Sequence, residues 1–145
     1  MCSNTKTLTS IPFQSLLSVI KVEKRNTGGH FTIKSKSSGK DMTFQVKRSE
    51  WKGTWYTHVS VERNYLDFLY LGTYRNGNVY SKGNVVTCPS ARVIAWVLKY
   101  VEREDFDHLN KGAEIMHTGN CLRCGKELTD ATSIEIGLGP VCRSL

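Results

Sequence analysis

The chain is 145 residues long, 39% hydrophobic, 23% charged and 10% aromatic, with a formal net charge of +7. That length and apolar content suffice for one domain, or one domain with a small appendage, around a real core; they exclude a disordered chain and a miniprotein dependent on disulfides. No stretch approaches the roughly 18 consecutive apolar residues of a membrane-spanning helix, and Met1–Lys6 leads into no long apolar run, so neither a span nor a secretory signal is expected and the expected place is the cytoplasm.

Residues 1–10 are polar and rich in Thr and Ser, which predicts a flexible arm. Ser10-Ile11-Pro12 then precedes Phe13, Leu16, Leu17 and Ile20, a spacing that predicts a short amphipathic helix capped by Ser10 with Pro12 in its first turn. Residues 24–29 read as a loop. Beyond them the period becomes two: Phe31, Ile33 and Ser35 alternate with Thr32, Lys34 and Lys36, and Met42, Phe44 and Val46 alternate with Thr43, Gln45 and Lys47. The turn-like Ser37-Ser38-Gly39-Lys40 between them predicts a hairpin. Trp55, Thr57, Val59 and Val61 mark a third strand, Tyr65 to Tyr74 a further β-prone run, and Asn76-Gly77 a tight turn into Val79-Tyr80. Four or five antiparallel strands are expected between residues 30 and 82, because the connections are too short for parallel crossovers. Pro89-Ser90 opens a helix whose stripe is Ala91, Ile94, Val97, Leu98 and Val101, widened by Trp96 and Tyr100. Residues 106–112 read as a connector. The expected fold class is α+β: an antiparallel sheet packed by one or two helices in a basic domain over residues 1–110, followed by a small module at 111–145.

Charge is uneven along the chain. Residues 1–52 hold ten Lys/Arg against Glu23, Asp41 and Glu50, whereas 53–112 hold seven basic and six acidic groups and 113–145 hold three and four. Such asymmetry points to a polyanionic partner, with nucleic acid the usual one. Basic and aromatic residues interleave at Lys47-Arg48, Trp51-Lys52 and Tyr74-Arg75, an arrangement in which rings stack bases and cations follow phosphates. Lys34, Lys36, Lys47, Arg48, Trp51, Lys52 and Arg75 are the candidate nucleic-acid contacts, while Trp55 and Trp96 are expected in the core.

The five cysteines are Cys2, Cys88, Cys121, Cys124 and Cys142. An odd count with no secretory signal argues against a disulfide framework. Cys121-Leu-Arg-Cys124-Gly125 puts two sulfurs at one point because Gly125 lets the backbone fold back beneath them, and Cys142 supplies a third sulfur from a turn opened by Gly139-Pro140. Zinc takes four such N or S ligands in a closed structural site. His117, four residues before Cys121, is the candidate fourth ligand, with His108 and Cys88 as rivals. A nucleobase deaminase needs His-x-Glu and Pro-Cys-x-x-Cys, which Met116-His117-Thr118-Gly119 does not provide. There is no Gly-rich phosphate loop ending in Lys-Ser/Thr and no His-Glu-x-x-His, so neither catalysis nor a small-molecule cofactor is expected.

The string from Cys121 to Cys142, with Cys-x-x-Cys-Gly-x-x-Leu-Thr-Asp, then Ser133-Ile134 and Gly137-x-Gly139-Pro140-x-Cys142, resembles a zinc-finger-like module of unknown function found in bacteriophage and bacterial proteins. The resemblance implies a phage origin, a host-cell cytoplasmic setting and a treble-clef-like or zinc-ribbon-like fold; it supplies no activity. The expected function is non-catalytic nucleic-acid binding through the basic first third. The alternatives are a module that binds and inhibits a host enzyme, transcription or defence complex, and a metal-dependent enzyme acting on nucleic acid.

Overall fold

The computed structural model describes residues 8–24, 28–65 and 67–144. Most of the expected loose arm, residues 1–7, and part of the expected loop, 25–27, lie outside the described residues. The fold is built on one antiparallel sheet. Its strands are β1 (Thr9–Ile11), β2 (Phe31–Ser35), β3 (Asp41–Trp51), β4 (Thr54–Asn64), β5 (Asp67–Arg75), β6 (Asn78–Ser81), β7 (Asn84–Val85) and β8 (Ala113–His117), in the spatial order β1-β8-β2-β3-β4-β5-β6-β7. From β2 to β7 the chain is a meander, as the alternation of apolar residues requires.

Three of its hairpins close through a two-residue turn with both central φ angles positive: Lys52-Gly53, Asn76-Gly77 and Lys82-Gly83. This turn matches the right-handed twist of the flanking strands. Asn-Gly advertises it in the sequence, but Lys-Gly does not. In the middle of the meander the register slips between Val59 and Ser60, opposite Gly72, whose φ is +150°. A Cβ there would lie 2.3 Å from the carbonyl oxygen of Tyr80, so the bulge brings β6 closer than any side chain allows.

Phe31, Ile33, Phe44, Val46, Thr57, Val59, Tyr74 and Val79 point to one face of the sheet and are buried. Covering that face are a 3-10 turn (Phe13–Leu16) running into α1 (Leu17–Ile20), then α2 (Pro89–Glu102) and α3 (Phe106–Gly112). Helix α2 follows its expected stripe: Ala91, Ile94, Val97, Leu98 and Val101 are buried, with Pro89 in the first turn where its missing N–H costs nothing. Among the described residues no helix is long and apolar enough to cross a membrane.

Three elements differ from expectation. Ser10 does not cap a helix; it lies in β1, and Pro12 precedes the 3-10 turn without a side-chain cap. The connector at 106–112 is helix α3, capped by Asp105, whose carboxylate accepts from the His108 amide at 3.3 Å. Lastly, Ala113–His117 is strand β8, inserted between β1 and β2 with Ile33 opposite Ile115 and Ile11 opposite Ile115 on the other side. Residue 110 falls inside α3, and Leu122, Leu128 and Leu138 of the tail share one apolar core with the sheet and α2.

Candidate metal centre

Beyond β8 the chain makes a short loop, the Cys121–Gly125 turn, and two small helices, α4 (Ala131–Ile136) and α5 (Pro140–Arg143). The turn is fixed by its own backbone: the Gly125 amide donates to the Cys121 carbonyl at 3.0 Å, and the Cys121 amide donates to the Lys126 carbonyl at 2.8 Å. Gly125 has φ +80°, and a Cβ on it would meet the Gly28 carbonyl oxygen at 2.8 Å. Only glycine meets both demands at that position.

Helix α4 brings the third sulfur into place. Asp130 caps it, accepting from the Ser133 amide at 3.1 Å and the Ser133 hydroxyl at 2.6 Å, and these bonds hold its carboxyl below the usual range. Arg143 of α5 donates to the Ser133 hydroxyl at 2.7 Å, tying α5 back to α4. Gly137 ends α4 in the left-handed region, and its carbonyl accepts from the Leu122 amide at 2.9 Å. Gly139 and Pro140 then start α5, and Cys142 sits in its first turn. Asp130, Ser133, Gly137 and Pro140 thus serve a common mechanical end, which is to aim Cys142 at Cys121 and Cys124.

The sulfurs of Cys121, Cys124 and Cys142 lie within 4.8 Å of one another, the one cluster of metal-ligating side chains among the described residues. Tetrahedral zinc, with Zn–S of about 2.3 Å, needs sulfurs about 3.8 Å apart, so the cluster is of the right size. Cys121 and Cys142 are buried and Cys124 is half-buried. The Arg123 amide donates to the Cys121 sulfur at 3.5 Å, and the Arg123 guanidinium lies 3.7 Å from the Cys142 sulfur. Burial would raise the Cys121 thiol, but the amides of Cys124, Gly139 and Arg123 outweigh it and hold the group below the usual thiol range. Cys142 is pushed up to about 12, chiefly by burial, with the neighbouring sulfurs adding to it against Arg123. Three thiols this close together, two of them buried, do not all ionise without a cation among them, and a divalent metal supplies that charge. The donor set fits such an ion, with Cys121, Cys124 and Cys142 as its holders.

His117, the expected fourth ligand, stands apart from the three sulfurs in this structure. Its buried ring donates from Nε2 to the Ile134 carbonyl at 2.6 Å and accepts at Nδ1 from the Gly119 amide at 2.9 Å, so both nitrogens are committed to backbone. The ring is a strut between the end of β8 and α4. His108 stacks on Tyr100 with centroids 4.0 Å apart, and Cys88 sits exposed beside Ser90 at the start of α2; neither belongs to the sulfur cluster.

Strand alternation separates the candidate nucleic-acid residues. Lys34 and Lys47 project from the sheet face opposite the core, Lys34 opposite Asp41 and Glu114 in the ladders and Lys47 opposite His58. Arg48 turns to the core side, donating to the Thr57 hydroxyl at 2.8 Å. Exposed Trp51 carries the Lys52 ammonium 4.6 Å above its ring, Arg75 lies 5.0 Å over Tyr80, and Lys36 bonds the Asn110 carbonyl. Trp96 is partly buried against the core, as expected.

One contact escapes sequence reasoning. Gly28-Gly29 abuts the cysteine turn so tightly that a Cβ on Gly29 would lie 2.0 Å from the Leu122 carbonyl oxygen. The doubled glycine is its only sequence signal.

The family of unknown function DUF6011 matches residues 112–145, the segment that starts at the end of α3 and contains β8 and all three clustered cysteines. No curated protein and no solved structure matches the chain. The tail therefore carries a family signature together with a cysteine cluster able to hold a metal ion.

Proposed function

We propose that this chain is a non-catalytic, phage-type nucleic-acid-binding protein, working in the host cytoplasm, in which zinc braces the tail in a treble-clef-like or ribbon-like module. The metal is read as structural because two of its three thiols are buried and because the surrounding motif is spent on holding them in place. The observation that carries the binding reading is the sheet face turned away from the core. It presents Lys47, Tyr56, His58 and Tyr70 across adjacent strands, with Trp51 and Lys52 at its end. Trp51 is 62% exposed and Tyr70 55%, large rings with no core role. Exposed aromatics beside cations suit stacked bases and their phosphates.

Fluorescence anisotropy with labelled oligonucleotides across a salt series tests this. Log affinity is expected to fall linearly with log salt, and Lys47→Glu is expected to weaken binding and reduce the slope by about one. Affinity that ignores both salt and Lys47→Glu refutes it.

A further inference from the structure

At the tail end of the same sheet face lies a cavity of about 710 Å³, lined by Gly28, His30, Gln45, Tyr65, Phe68, Thr118, Asn120 and Gly125. We infer that this cavity takes a single unstacked nucleobase, so that the nucleic acid bound is single-stranded; the inference rests on the nucleic-acid reading above and gives it a substrate class.

The chemistry of the lining selects the guest. Gln45 and Phe68 project from the open face of β3 and β5, and His30 and Thr118 flank β2 and β8 on that face, their side chains joined at 3.1 Å. The described lining offers uncharged donors and acceptors at Gln45, Thr118 and Asn120, groups that suit a neutral base. Phe68, tilted against His30 with centroids 6.0 Å apart, and Tyr65, 73% exposed, provide ring faces for stacking. Gln45 and Asn120 each offer a planar amide with donors and an acceptor side by side, the pattern that reads a base edge. Asn120 is oriented by donating to the Gly125 carbonyl at 3.0 Å. The volume lies within the range of small-ligand pockets, with room for a base and its sugar. A base inside a duplex cannot present both its ring face and its pairing edge, whereas one in a single strand can. Asn120 and Gly125 bracket Cys121 and Cys124, so in this reading the metal centre holds one wall of the base pocket.

The test compares short homopolymer single strands with the same sequences as duplexes, and adds free nucleosides followed through the side-chain amide NMR signals of Gln45 and Asn120. Single strands are expected to bind more tightly than duplexes, and nucleosides to shift those two amides. Phe68→Ala is expected to weaken single-strand binding about fivefold or more, with the salt slope unchanged. Phe68→Leu keeps apolar volume and removes the stacking plane, so a loss shared by both variants is not a folding defect. Gln45→Ala is expected to flatten preference among the four bases. If oligonucleotides bind and Lys47→Glu weakens them, yet the Phe68 and Gln45 variants bind single strands as the parent does, the pocket is overturned and the sheet-face reading stands. If no oligonucleotide binds in any form, both fall.

Discussion

Substituting Gly29→Ala adds one methyl group at the closest approach between the β2 entry and the cysteine turn. That methyl would sit 2.0 Å from the Leu122 carbonyl oxygen, 2.3 Å from its carbonyl carbon and 2.7 Å from the Arg123 carbonyl carbon. All three are backbone atoms, so no rotamer change relieves the clash. Restoring ordinary contact at 3.4 Å requires the two segments to separate by about 1.4 Å, in an interior packed as densely as an organic crystal. Overpacking of this kind costs about 1–3 kcal/mol, and the backbone origin of the clash places it near the top of that range. For a chain of this length, about 3 kcal/mol lowers Tm by about 6–12 °C. The shifted turn also carries Cys121 and Cys124, so the gap in Tm between zinc-loaded and chelator-treated protein should narrow. Gly39→Ala is the control: φ there is +72° with nothing within 4 Å, so only the left-handed backbone costs, about 1–2 kcal/mol. Thermal unfolding of the three proteins, with zinc and with chelator, decides the matter. If Gly29→Ala melts no lower than Gly39→Ala, with an undiminished zinc gap, the close contact between Gly29 and Leu122 does not exist in solution.

His117→Ala should keep the intense thiolate-to-cobalt charge-transfer band of the cobalt-substituted protein while lowering Tm, because the ring braces backbone and not metal; loss of the band would restore it as a ligand. Cys142→Ser should weaken that band by about a third or more, because one of the three thiolate donors is lost. Metal affinity should rise with pH, because binding expels the proton of a Cys142 thiol pushed up to about 12; titration calorimetry in buffers of different ionisation enthalpy should register proton release. Without metal the sign reverses: the raised Cys142 group stabilises the fold below its ordinary value near 9, and that contribution is lost as pH climbs toward 12. Asp130 behaves oppositely. Its bonds to Ser133 lower its pKa, so its contribution is present above the usual carboxylate range and fades as pH falls through the lowered value; Asp130→Asn should flatten the acid limb of a stability-pH curve.

The meander and α2 are legible in the sequence because period-two and period-3.6 patterns are direct consequences of one-sided burial, as Phe44-Val46 and Ile94-Val97-Leu98 illustrate. The three sulfurs are legible because a Cys-x-x-Cys-Gly turn has few other uses. Strands β1 and β8 are hidden because each is short and depends on a partner distant in sequence, which no local pattern encodes: Thr9 pairs with His117 and Thr32 with Met116. His117 looks like a ligand from its spacing alone; only the approach of Ile134 and Gly119 shows both of its nitrogens already occupied. The adjacency of Lys47 and Arg48 suggests a joint basic patch, yet in a strand neighbours point to opposite faces, and Arg48 ends against Thr57.

The placement of β8 between β1 and β2 bears on how the polypeptide matures at the ribosome. The hairpins from β2 to β7 can zip as they are made, each closing over a few residues. The ladder on the other side of β2 cannot, because its partner at Ala113–His117 is synthesised about eighty residues later. Until that stretch leaves the exit tunnel, β2 is a bare edge with unpaired amides, open to adventitious strand addition. Late docking of the tail seals that edge, so nascent chains stalled before residue 113 should be the aggregation-prone species in cell-free synthesis.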